Sequence, residues 1–362
     1  MSETVGSRAT TVERQGLEPG GLALDVGAFS GPPSDWDEFV RASHGWTHFH
    51  LHGWKTVIER VFGHECIYLA ARDGSKDIVG VLPLVRVRSR LFGHYLVSMP
   101  FLNYGGPLGT DDAIRALAAR AEDIARTECV SLLELRSRRE LPLDMPVSHR
   151  KITVLLDLPK TSSDLWTRLP AKVRSQVRRP QKEHVTVSFG AEQCAPFFSV
   201  FARHMRELGT PTQSRRLFDA IGEQFGSDVW FACAYHANRP VAAGCAFRWG
   251  SEIEMTWASS LSAYNKLSPN MLLYWSFMER AADDGASVFN FGRCSPESGT
   301  HRFKRQWGTR DETLWWYTRA GGDVAKTPSP DDAAYSWGPR LWKHLPTPVA
   351  TALGPRIARL IP

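Results

Sequence analysis

Residues 216–257 read RLFDAIGEQFGSDVWFACAYHANRPVAAGCAFRWGSEIEMTW, and the order of elements they encode decides the fold. The stretch from Arg216 to Gly226 has a helical pattern closed by Phe-Gly. Apolar, strand-type runs follow at Val229 to Tyr235 and Val241 to Trp249, joined by a turn at Ala237 to Pro240, and a third run spans Glu252 to Trp257. Ser268-Pro269 then supplies a helix start. Met271, Tyr274, Trp275, Met278 and Ala282 form an apolar stripe at helical spacing, and Gly285 precedes a strand at Val288 to Phe291.

The same succession occurs earlier. Trp54 to Gly63 is a helix stopped by Phe-Gly, and the strands Ile67 to Ala71 and Ile78 to Val87 are joined through Asp73-Gly74. The loop Asn103-Tyr104-Gly105-Gly106-Pro107, a helix over about Asp112 to Thr127 and a strand at Ser131 to Leu135 complete the unit. The copies lie roughly 160 residues apart. An antiparallel meander followed by a helix and another strand is a mixed α/β (α+β) unit. It argues against a doubly wound parallel sheet, in which helices separate the early strands. The alternative is two unrelated α+β domains whose patterns coincide. The chain divides into a disordered start (1–20), a first domain (21–150), a second domain (151–320) containing a basic linker helix (166–182), and a Pro-rich amphipathic tail (321–362).

The 362 residues are 43% hydrophobic and 11% aromatic, enough for two packed cores. The six cysteines are scattered without CxxC or zinc-finger spacing, which points to a reducing compartment and no structural metal. No apolar run is long enough to span a bilayer, and the opening 21 residues lack a signal-peptide core, so a cytoplasmic location is expected, at most at the inner face of the membrane. A net charge of +6 favours acidic partners.

The cations cluster. In Val288 to Gly308, VFNFGRCSPESGTHRFKRQWG, a strand runs into an irregular loop and then a short helix for which Thr300 is the expected cap. Phe303 and Trp307 share one face there, Arg302, Lys304 and Arg305 project elsewhere, and no acid intervenes between Gly299 and Gly308. Such a turn suits an anionic group, although a basic surface helix anchored by its aromatics has the same pattern. Trp166 to Lys182 carries Arg168, Lys172, Arg174, Arg178, Arg179 and Lys182 without an acid, with Val173 and Val177 on a separate face and Pro180 ending the helix. Phosphate contact and a solvated linker both fit it. In the tail, Trp337 to Pro362, Trp, Leu and Ile alternate with Arg340, Lys343, His344, Arg356 and Arg359, which suits packing on the first domain or peripheral contact with an anionic membrane. His48, His50 and His52 alternate as HFHLH, but no carboxylate or cysteine completes a metal site, and the flanking Trp46 and Trp54 suggest aromatic packing.

The segments NFGR and SGTHRFKRQWG, with Leu208-Gly209-Thr210-Pro211 and Asn270 to Trp275, resemble the FemAB-like branch of the GNAT acyltransferases, closest to the group associated with exosortase and PEP-CTERM systems. GVLPLVRVRSRLFG at Gly80 to Gly93, SMPFLNYGG at Ser98 to Gly106 and LELR at Leu133 to Arg136 extend the resemblance over roughly residues 36–360. It implies two tandem GNAT-like N-acyltransferase domains and transfer of an acyl or aminoacyl group onto an amine, in cell-envelope, peptidoglycan or exopolysaccharide metabolism. The family's Phe-Lys motif falls on Phe303 and Lys304, and the resemblance implies that this lysine serves the donor's phosphate end and the charge developing in transfer. One departure stands out. Where acetyl-CoA users carry a Gly-rich R/Q-x-x-G-x-G/A loop, this chain has Tyr264-Asn265-Lys266-Leu267-Ser268-Pro269-Asn270.

The expected site therefore has Lys304 as catalytic cation, with Arg302 on the donor's anionic end and Phe303 beside it. Asn290 and Arg293 line the strand terminus, and Tyr264, Asn265 and Asn270 complete the wall. Lys172, Arg174, Arg178 and Arg179 meet a polyanion. Glu254, Glu297 and His301 are candidate bases. No permanently bound cofactor is expected; the co-substrate is an acyl-CoA or an aminoacyl-tRNA and the partner an amine acceptor. No protein nucleophile is needed, because an amine attacks the activated carbonyl directly. The competing reading is a non-catalytic GNAT-fold scaffold that binds a polyanion or a membrane surface.

Overall fold

The computed structural model describes residues 24–89, 93–321 and 341–361. The expected disordered start lies outside these residues, as do Trp337 to Arg340 of the tail. The first sheet contains β1 (Asp25–Ala28), β2 (Glu65–Arg72), β3 (Ile78–Ser89), β4 (Gly93–Val97), β5 (Leu108–Gly109), β6 (Leu132–Ser137) and β7 (Val147–Ser148). β8 (Ile152–Asp157), β9 (Thr186–Phe189), β10 (Val229–His236), β11 (Arg239–Trp249), β12 (Glu252–Ser260), β13 (Val288–Cys294) and β14 (Arg310–Thr313) build the second. β15 (Trp315–Ala320) goes back to the first.

The strand orders are β1-β2-β3-β4-β6-β15-β7 and β9-β10-β11-β12-β13-β8-β14, the same pattern twice. In each sheet four strands run antiparallel, a parallel pair follows (β4 with β6, β12 with β13), and an antiparallel strand closes the far side. The closing strands are exchanged. β8, which follows the first set of strands in the chain, closes the second sheet, whereas β15 closes the first by pairing Trp315 to Ala320 with Ser137 to Leu132. The second domain expected over 151–320 therefore includes a strand of the first sheet, and β15 is an element that returns to the first unit.

The helices follow from capping and periodicity. In α3 (Asp111–Thr127) the Thr110 side chain accepts from the Ala113 amide, Asp111 and Asp112 favour the positive end of the dipole, and Ala113, Ile114, Leu117, Ala118 and Ala121 form the buried stripe. α2 (Gly53–Phe62) stops where Gly63 turns left-handed at φ 66°. α7 (Arg215–Phe225) is its counterpart, and the two helices meet, with the Trp54 and Phe225 rings 5.0 Å apart and Arg60 paired to Glu223. α1 (Pro33–Ala42), α2, α6 (Cys194–Leu208) and α7 enclose one aromatic core between the sheets, which holds Trp36, Phe49, Trp54, Phe218, Phe247 and Trp316. Each fully buried large side chain there contributes about 1.5–3 kcal/mol. α3 covers the outer face of the first sheet. α4 (Ser162–Arg168), α5 (Ala171–Lys182) and α8 (Pro269–Asp283) cover that of the second.

Three local expectations change. The basic segment 166–182 is split between α4 and α5, because Leu169 and Pro170 adopt extended backbone, and Pro180 sits inside the last turn of α5. α9 (Gly299–Arg305) is capped by Ser298, whose side chain accepts from the His301 amide, and not by Thr300. The tail helix α10 (Thr347–Ala358) packs on α6 of the second half. Its Gly354 lies so near Thr212 that a Cβ would sit 2.8 Å from the Thr212 amide nitrogen, and its contact with the first unit comes after the helix, where His64 Nε2 lies 2.6 Å from the Arg359 carbonyl oxygen. The histidines form no strand. His48 to His50 is a single 3₁₀ turn in which His50 closes a capping box with Thr47 and His48 packs against Phe225 and Phe247.

Candidate active site between the parallel strands

β12 and β13 pair over only three residues, Glu252 to Glu254 against Val288 to Asn290, and then diverge. A bulge between Met255 and Trp257 leaves Thr256 without a counterpart on β11, the kind of irregularity that re-aims a strand beside a site. Farther along β12, a cavity of about 680 Å³ lies between that strand, α8 and α9. Ala258 to Ser260 form one wall, Asn270, Leu273 and Tyr274 of α8 another, and Asn265, Gly299, Thr300 and Phe303 line it together with His204, Glu207 and Leu208 at the end of α6. Tyr274 of this lining stacks on Phe291 at 5.4 Å and meets Phe303 edge-on at 5.0 Å. α8 begins with Ser268 in the left-handed region at φ 55°, a conformation glycine adopts at no cost. The chain thus makes a tight turn into the helix without the expected glycines.

Next to where the strands part lies a buried polar cluster contributed by both halves. Glu254 has no exposed surface, and Asn103 Nδ2 and Tyr104 Oη donate to its two oxygens. Asn290 Oδ1 accepts from Thr153 Oγ1 at 2.6 Å and from the Gly292 amide at 2.8 Å. Its amide nitrogen must therefore face the acids, with Tyr104 Oη at 2.9 Å, Glu252 Oε1 at 2.7 Å and Glu254 Oε2 at 3.1 Å. Burial raises Glu254 from 4.5 to about 7, against the opposing pull of the Tyr104 hydrogen bond. A carboxyl held near neutrality can take or return a proton at physiological pH.

The cluster borders a second cavity, of about 330 Å³, between the two halves. Tyr104 and Glu252 belong to its wall, together with Trp46, Arg138, Arg139 and Glu312. Arg138 donates to Glu252 at 2.8 Å and to Glu312 at 2.8 Å, while its guanidinium lies 5.3 Å from the Tyr104 ring centre. Nearby, Arg136 and Arg293 both approach the Trp316 ring, at 4.6 and 5.0 Å. Burial and the neighbouring Arg136 lower Arg293 from 12.5 to about 10.

The expected residues divide accordingly. Asn265, Asn270 and Phe303 line the larger cavity. Asn290 organises the carboxylates. Tyr264 does not line either cavity and packs 6.2 Å from His236. Lys304 departs from its neighbours: it is 3% exposed, and Nζ donates to the carbonyl oxygens of Gly292 at 2.6 Å and Arg293 at 3.2 Å. It turns inward because Trp307, three residues on, is buried on the same side of the short helix. Burial lowers Lys304 from 10.5 to about 8. Arg302 is exposed and donates to the Glu297 carbonyl at 2.7 Å. Lys172, Arg178 and Arg179 are exposed on α5, Arg174 is half-buried and donates to the Thr167 carbonyl at 3.1 Å, and Arg178 lies over the Trp166 ring. Of the candidate bases, Glu297 and His301 sit together at the surface, with His301 bonded to Asp311. Among the described residues no group of three His, Cys, Asp or Glu side chains converges as a metal site. No described helix is long and apolar enough to cross a membrane.

Residues 169–305, less than half of the chain, match the family model described as an acetyltransferase (GNAT) domain. No curated protein matches the sequence. Among solved structures, FemX is similar with a TM-score of 0.63 at 14% identity, covering 81% of this chain and 97% of FemX. L-PGS from Bacillus licheniformis is similar with a TM-score of 0.54 at 14% identity, covering 91% of this chain and 97% of that one. A tandem GNAT protein from the clavulanic acid biosynthesis pathway gives 0.51 at 12% identity, over 84% of this chain and all of the other. The repeated strand order and these similarities together establish the architecture as two tandem GNAT-like units, the second of which carries the stretch that matches the acetyltransferase model.

Proposed function

We propose that the protein is an N-acyltransferase that moves an acyl or aminoacyl group from an activated donor to an amine, with the donor in the larger cavity beside β12 and α8. The observation that carries this is Glu254, wholly buried beside the parting of the parallel strands and bonded to Tyr104, which lines the smaller cavity. The donor's reactive carbonyl reaches the parting of the strands near Thr256 and Gly292. The amine enters from the smaller cavity past Glu252 and Tyr104 and forms the C–N bond. Glu254 accepts the ammonium proton, directly or through the Tyr104 hydroxyl, and the donor's sulfur or oxygen leaves. Lys304 fixes the carbonyls of Gly292 and Arg293 and supplies positive charge as the carbonyl oxygen becomes negative.

The donor is an aminoacyl-tRNA or an acyl-CoA. Lys266 and the first turn of α8, with Asn265 and Asn270, hold its anionic end. Arg302 adds a further cation, and the α5 row of Lys172, Arg174, Arg178 and Arg179 contacts phosphates of a longer donor. The sequence resemblance favours a cell-envelope or exopolysaccharide amine as acceptor. Incubation with acyl-CoA or charged tRNA and a panel of amines should give an acceptor of increased mass, and Glu254→Gln should abolish the gain while remaining folded. Full transfer by Glu254→Gln would remove the proposed base. No transfer from either donor class, with polyanion binding intact, would favour the scaffold reading.

A further inference from the structure

Of the five large apolar side chains exposed on the described surface, three belong to the tail and its approach: Leu341, Val349 and Leu353. A fourth, Leu208, ends α6, the helix on which α10 rests. This is not the result of loose docking. Ala350, Gly354 and Ala358 recur every four residues and are buried, Gly354 is pressed on Thr212, and Arg206 Nη1 donates to the Leu345 carbonyl at 3.1 Å. The opposite side of α10 is thereby turned outward, and it carries Val349, Leu353 and Arg356, with the exposed Arg359 just past its end.

Its charge is of one sign. Residues 341–361 contain Lys343, Arg356 and Arg359 and no acid, and among the described residues none of these three cations forms an ion pair. A helix face that packs on another protein normally carries acids to match its bases, or few charges at its centre. Short apolar side chains flanked by unpaired lysine and arginine on a pre-formed helix are the arrangement that lies in a lipid interface. We infer that residues 341–361, with Leu208, seat the protein on an anionic lipid bilayer, the apolar side chains entering the acyl boundary and the cations meeting the headgroups. Leu208 also lines the larger cavity, so this contact brings the mouth of that cavity to the membrane surface. The inference stands apart from the transfer reaction, since vesicle binding requires no turnover.

Co-sedimentation of the full chain with phosphatidylcholine vesicles, with and without roughly one-third phosphatidylglycerol, tests it. Binding is expected only with phosphatidylglycerol and should weaken with salt. Each cation near the surface is worth about fivefold in partitioning, so Lys343→Glu/Arg356→Glu/Arg359→Glu should lower binding by roughly a hundredfold or more. Val349→Glu/Leu353→Glu should also abolish it. Arg115→Glu/Arg120→Glu/Arg126→Glu on α3, with the same charge change, should bind as the parent does. Equal binding to both vesicles, equal loss in the α3 variant, or full binding by Val349→Glu/Leu353→Glu would overturn the inference. So would RNA binding that the tail variants lose in the absence of any vesicle binding.

Discussion

Glu254→Gln can be followed by stability as well as by activity. Burial raises the native carboxyl from 4.5 to about 7, so the native state holds a proton that the unfolded chain has already released across that interval. Stability is therefore fully present below about pH 4.5, falls as pH rises towards 7, and is level above it. At 1.36 kcal/mol per pH unit the loss is about 3 kcal/mol, with no reduction for solvent because the group is wholly buried. Glutamine does not titrate. It will cost some stability at every pH, because Tyr104, Asn103 and Asn290 all donate towards this position and an amide offers only one accepting oxygen. The diagnostic quantity is thus the difference between variant and parent, measured by urea unfolding at pH 4.5 and pH 8. It should move by about 3 kcal/mol in favour of glutamine at the higher pH. A difference that does not change with pH would refute a native carboxyl near neutrality, and the proposed base with it. If turnover is measured alongside, kcat/KM of the parent should rise through pH 7, while the variant should show no transfer on either side of it.

Other substitutions probe the surrounding geometry. Asn290→Ala should cost about 3 kcal/mol in chemical unfolding, because Thr153 and two carboxylates lose a buried partner. Gly292→Ala should destabilise by about 2 kcal/mol or more and depress transfer, since φ is 72° and a Cβ would lie 2.9 Å from the Met255 carbonyl on β12; unchanged unfolding would contradict this approach. Lys304 has a native value lowered to about 8, so stability should rise between pH 8 and 10.5 as the native state gives up its proton first. Lys304→Met should lack that rise in an unfolding series. Trp316→Ala removes a ring buried between the sheets and the partner of two guanidiniums, and should lower stability by about 3–5 kcal/mol in thermal or urea unfolding.

The repeated meander was legible because its signals are local. The Phe-Gly helix ends, the hairpins and the stripe on α8 each depend on residues a few positions apart, and every one of these elements forms within a few residues of its expected limits. Contacts across the chain were not legible. Tyr104 and Glu254 meet from 150 positions apart, and nothing in either neighbourhood encodes the other. A partial signal existed in Glu252-Ile253-Glu254-Met255, where two acids share one side of a strand otherwise built to be buried. By charge alone Lys304 falls with Arg302 and Arg305, whereas its direction is set by the carbonyls of β13 and the seat of Trp307. Tyr264 was drawn to the cavity by its neighbour Asn265, but the 3₁₀ turn over Ser262–Leu267 sends the two side chains to different sides.

The exchange of β8 and β15 has a consequence for synthesis. When the ribosome has made the first sheet's own strands, the place beside β6 is still vacant, and it stays so until residue 320 has emerged. An exposed strand edge must wait while nearly half the polypeptide is added, which favours slow, late completion and exposes the nascent protein to mispairing. Cutting the gene just after β8 would yield two fragments, each missing a rib that only the other can lend. Mixed together, they should recover only by complementation.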